Sequence, residues 1–107
     1  MPCIKAIAAS IAILWACSAD AAENALVLGI GRESCVYWQS TPARRTEGTI
    51  WIYGFWSGAN WGNDRNHKVG ERTDPYGDVA EVKKTCDVQP SMTLFDAATK
   101  TYHDMDK

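Results

Sequence analysis

Residues 43–61 read ARRTEGTIWIYGFWSGANW, and the fold class turns on whether this run is helix or strand. It begins polar and becomes dense in aromatics: Trp51, Tyr53, Phe55, Trp56 and Trp61. Thr49 to Tyr53, β-branched and aromatic, would by itself suit a strand. The whole run is longer than an ordinary strand, and helical spacing pairs Trp51 with Phe55 and Ile52 with Trp56. Length and pairing together favour helix. Gly54 and Gly58 then lie four apart, a flat strip where another backbone could approach.

The flanks fit the same reading. On the amino-terminal side, Ser40, Thr41 and Pro42 interrupt the chain and can start the aromatic helix, since proline is tolerated in a first helical turn. Before them, Arg32 to Gln39 has the pattern of a short helix that sets Cys35 beside Trp38 and Gln39. Ala22 to Gly31 is an apolar lead-in. On the carboxy-terminal side, Gly58 to Gly77 is glycine-rich and polar, with Asn60, Asn63, Asp64 and Asn66. It reads as a long connection of the kind that often carries function. Asp74-Pro75 supplies an N-cap and a first-turn proline, and Val79, Val82 and Cys86 mark the buried face of the helix that follows. Pro90-Ser91 is expected to open the last helix, with Ser91 as cap. Met92, Phe95, Ala98, Tyr102 and Met105 form its apolar stripe, and Asp96 with Lys100 an exposed pair. The expected fold is all-α: four helices in one small domain.

The beginning of the chain has the order of a secretory signal: Lys5 near the terminus, an apolar run from Ala6 to Ala16, then Ala19-Asp20-Ala21 as a cleavage site. The run is too short for a permanent span, which needs roughly 20 residues. Residues 1–21 are therefore expected to be a signal peptide and residues 22–107 the exported domain. Leu14-Trp15-Ala16-Cys17 also resembles a bacterial lipobox, with Trp15 standing where such boxes carry a small residue. Lipid anchoring through Cys17 is the alternative.

The full chain carries 11 basic and 13 acidic residues, so removing Lys5 and Asp20 leaves ten and twelve and a net charge still near −2. Such a weak, mixed charge offers nothing to nucleic acid or an anionic membrane. Cys3 and Cys17 would leave with the signal, and Cys35 and Cys86 would remain. In an oxidising compartment such a pair is expected to form a disulfide, which suits a domain too short for a large core. Closing a loop of about 50 residues stabilises by roughly 4 kcal/mol in the chain-entropy model. Free or metal-binding thiols are the alternative, but neither cysteine has neighbours at metal-ligand spacing.

Catalytic patterns are absent from the sequence. His67 and His103 lie far apart, without metal-ligand spacing, and read as solvated surface residues. Ser57 has no acid or base placed by spacing, and Gly29-Ile30-Gly31 lacks the third glycine of a phosphate-binding turn. No cofactor is expected. The aromatics remain. Trp51, Phe55 and Trp56 suit the core of a domain with few leucines. As a contact platform the candidates are Trp61, Trp56 and Tyr53, with Trp61 foremost because it adjoins Asn60, Gly62 and Asn63 at the mouth of the loop. A small secreted enzyme or a glycan-binding module is the less favoured reading.

Taken in order, these features are a signal, a cysteine in a first short helix, Trp51-x-x-Gly54-x-x-Ser57-Gly58, a polar loop, Val82-Lys83-Lys84-Thr85-Cys86, Pro90-Ser91 and an amphipathic end. This order resembles the group that contains the HdeA acid-stress chaperones and the Rap-type immunity proteins of type VI secretion. The resemblance implies a small helical periplasmic protein whose disulfide joins the first helix to the region before the last. It implies one of two partners: a secreted toxin, neutralised by direct contact, or an unfolding client held after a homodimer dissociates in acid. The immunity proteins commonly carry a further cysteine just before the aromatic helix, and Thr49 to Tyr53 has none.

Overall fold

The structure, a computed structural model, describes residues 25–107. The signal segment and Cys17 lie outside the described residues. Within them are four α-helices and no strand: α1 (Cys35–Trp38), α2 (Pro42–Gly62), α3 (Pro75–Val88) and α4 (Leu94–Met105), preceded by a 3-10 turn at Gly29–Arg32. Each helix opens on a side-chain cap that satisfies one of its free N–H groups. Ser34 accepts from the Tyr37 amide, Thr41 from Arg44, Asp74 from Gly77 and Thr93 from Asp96. Thr49 to Tyr53 lies inside α2, so the helical reading of the aromatic run holds.

Two boundaries differ from the sequence expectation, and one tertiary contact explains both. The last helix is capped by Thr93 rather than Ser91, and the first is split, with residues 33 and 34 extended between the 3-10 turn and α1. Ser34 and Thr93 face each other in an isolated antiparallel bridge. The Cys35 amide donates to the Met92 carbonyl at 2.9 Å, and the Leu94 amide to the Glu33 carbonyl at 2.8 Å. Both segments are extended because these backbone groups are satisfied by each other rather than by a helix.

Cys35 and Cys86 form a disulfide between α1 and α3, with Cα atoms 5.5 Å apart. Both cysteines are buried, in a core with Ile30, Trp38, Ile52, Trp56, Val82, Leu94, Ala98 and Tyr102. Helix α4 turns a broader stripe inward than expected: Leu94, Ala97 and Thr101 are buried beside Ala98 and Tyr102, while Phe95 is only half-buried. Lys100 pairs with Asp104 at 3.1 Å, not with Asp96.

Two glycines set how closely the parts meet. A Cβ at Gly48 would collide with the Trp38 indole, whose N–H donates to the Arg45 carbonyl at 3.1 Å. A Cβ at Gly31 would collide with the Trp51 ring, whose N–H donates to the Leu28 carbonyl at 2.9 Å. Gly54 and Gly58, the expected strip for backbone approach, have nothing within 4 Å of a Cβ position. Close packing inside the chain uses Gly31 and Gly48 and leaves this pair open.

Candidate interaction surface

The polar connection is ordered by its asparagines. The α2 helix runs on to Gly62, and the turns beyond it fold back onto that helix and onto α4. Asn60 Oδ1 accepts from the Val69 amide at 3.0 Å and from the Tyr102 hydroxyl at 2.8 Å. Its Nδ2 donates to the Val69 carbonyl, which also takes the Trp56 indole N–H at 2.9 Å. Asn63 Oδ1 accepts the amides of Arg65 and Asn66, and its Nδ2 donates to Asp106 Oδ2 at 3.0 Å. Val69 is carried into the core by these bonds. The loop expected to carry function is a hydrogen-bonded part of the scaffold.

The three contact candidates separate. Trp61 is 85% exposed at the end of α2. Trp56 is only 6% exposed and its N–H is taken, so it is a core residue and does not stand out as a platform. Tyr53 is half-buried, and with Trp56 it lines a groove of about 470 Å³ between α2 and the start of α3. At roughly 100° per residue, Ile50 and Trp61 project from the outer face of α2, with Tyr53 and Ser57 on one flank and Trp51 and Phe55 on the other. Ile50 is 63% exposed. The outer face is a ridge thinned by Gly54 and Gly58, with a groove on each side.

The second groove, about 410 Å³, is almost wholly apolar. Leu26, Leu28, Ile50, Trp51, Phe55 and Phe95 line it. Leu26 and Leu28 are exposed. Scattered exposed apolar residues are ordinary, whereas a contiguous set beside an open helix face is a candidate interaction surface. In the sequence Leu26 and Leu28 belong only to an apolar lead-in and Ile50 to the aromatic run, with no local signal of exposure. Phe95 was read as core and sits at the groove wall.

Titratable groups are sparse around these features. His67 is exposed, with Nδ1 3.0 Å from the Asn60 carbonyl. Exposed His103 shares a third groove, about 320 Å³, with Arg65 and Asp106. Arg65 and Asp106 are 3.9 Å apart there. Thr99 Oγ1 is buried without a partner. Ser57 Oγ donates to the Tyr53 carbonyl at 2.9 Å. Among the described residues no three His, Cys, Asp or Glu side chains group to hold a metal, and no helix is long and apolar enough to cross a membrane.

One carboxyl is perturbed. Burial, then the charges of Asp74 and Glu81, raise Asp78 to about 6. Comparison of the chain with protein-family models, with curated proteins and with solved structures finds no match.

Proposed function

We propose that this is an exported, non-catalytic periplasmic protein that binds another protein through the outer face of α2, acting as an immunity protein against a secreted toxin. The observation that carries this reading is the exposed apolar set of Leu26, Leu28 and Ile50 along one groove, with exposed Trp61 farther along the same outer face of α2, past the open Gly54 and Gly58. An exposed tryptophan with aliphatic neighbours is the composition of an interface centre. The disulfide supports export, because such bonds persist in oxidising compartments.

Acid-stress chaperoning is the other reading, and Asp78 weighs against it. Its folded pKa is raised, so protonation in acid removes an electrostatic cost and firms the fold at this position. An acid-triggered release needs carboxylates with the opposite behaviour.

Photo-crosslinking in cells that export the chain tests the proposal. A crosslinker at Trp61 or Ile50 should trap a protein as a discrete adduct, and one at Lys83 on exposed α3 should not. Equal trapping at all three positions, or none, breaks the reading.

A further inference from the structure

The groove between α2 and α3 differs chemically from the apolar one across the ridge. Its walls are Tyr53 and Trp56 from α2 and Tyr76 and Asp78 from α3, and Tyr76 is largely exposed. Asp78 Oδ1 is shut off from solvent with no donor. It lies against Gly70, at φ +89°, where a Cβ would come within 2.6 Å of it. No ion pair among the described residues includes Asp78, and the lysines of α3 are engaged elsewhere, Lys83 with Asp87 and Lys84 with Glu81. Neither Asp74 nor Asp78 takes part in an ion pair among the described residues.

We propose that this groove receives a basic side chain, arginine or lysine, presented by the protein partner. Aromatic faces attract cations, and most strongly where water is partly excluded. A positive charge in the groove would offset the cost of ionising the whole Asp78 carboxylate through space, without touching the sealed oxygen. Position supports the same occupant. Tyr53, Ser57 and Trp61 follow one another at i, i+4 and i+8, so the groove opens beside the exposed tryptophan and a partner seated there would reach it. The inference rests on the protein-binding reading but is tested without the partner.

The probe is N-acetyl-arginine amide, titrated into the 22–107 chain with its disulfide intact and followed by amide NMR shifts. Saturable shifts should cluster at Tyr53, Tyr76 and Asp78, and the neutral N-acetyl-glutamine amide should not reproduce them. D78N, nearly isosteric and relieved of an unpaired charge, should weaken binding at least ~tenfold. Y76A should weaken it less. Equal shifts with the glutamine probe, full binding by D78N, or no saturable shift up to ~100 mM arginine probe would overturn the assignment. Adducts at Trp61 with no arginine binding would remove the groove and keep the partner. The reverse result would keep a cation site and remove the partner.

Discussion

Asn60 and Trp61 are adjacent in sequence and opposite in use. The asparagine, which composition assigns to the surface, turns inward and joins Val69 and Tyr102 to α2. The tryptophan, which composition assigns to the core, turns outward. The difference repeats on a larger scale: the polar loop is scaffold, and the apolar lead-in with the outer α2 face is the free surface. The exposed apolar area has no structural work, and the loop's side chains are committed to bonds within the fold.

The largest test removes what underlies both regions. C35A/C86A, or reduction of the disulfide, should lower stability by about 4 kcal/mol, since it frees a pair of residues separated by 51 positions. Urea unfolding by tryptophan fluorescence and by circular dichroism should shift together. Separate transitions would mean that loop and helix face are independent units.

Next, N60A should cost about 2–3 kcal/mol, because Val69 and Tyr102 lose partners in a partly buried site. W61A should stay within about 0.5 kcal/mol of the parent. Comparable losses in urea midpoint would break the contrast between these neighbours.

The glycines of α2 sharpen the comparison further. G48A should destabilise by about 1–3 kcal/mol by forcing Trp38 off its seat. G58A, on the open strip, should stabilise by up to about 1 kcal/mol, as alanine does in an exposed helix. A G58A that unfolds the protein would mean that the strip is not free.

The smallest effect concerns pH. A carboxyl with a folded pKa of about 6 against 3.8 holds its proton more tightly when folded. Its ionised form therefore costs stability above pH ~6, and the cost fades as pH falls toward ~4. D78N should exceed the parent by at most about 1 kcal/mol near pH 7.5, the shift being discounted for solvent screening, and should match it near pH 4. A D78N advantage that grew in acid would reverse the sign and reopen the acid-release reading.

Much of the fold was legible because its signals are local. Thr41-Pro42 and Asp74-Pro75 are caps followed by first-turn prolines, and α2 and α3 begin there. The start of α4 was not legible, because Thr93 wins over Ser91 only once residues 92–94 pair with residues 33–35. The exposure of Trp61 was legible in its asparagine and glycine neighbours, whereas Trp56, offered both as core and as platform, is buried. Asp78 gave no signal, since an aspartate in a first helical turn reads as a favourable dipole partner.

By itself the sequence determined the all-helical class, the starts of α2 and α3 at Thr41-Pro42 and Asp74-Pro75, and the expected pairing of Cys35 with Cys86, because each depends on neighbours along the chain or on counting what can pair. It could not determine which side of α2 meets solvent. Trp51, Tyr53, Phe55, Trp56 and Trp61 point around nearly the whole circumference of that helix, so no polar face marks an outside. Tertiary structure decided it, through where α1, α3 and α4 lie. They cover Ile52 and Trp56 and leave Ile50, Gly54, Gly58 and Trp61 as the face that remains.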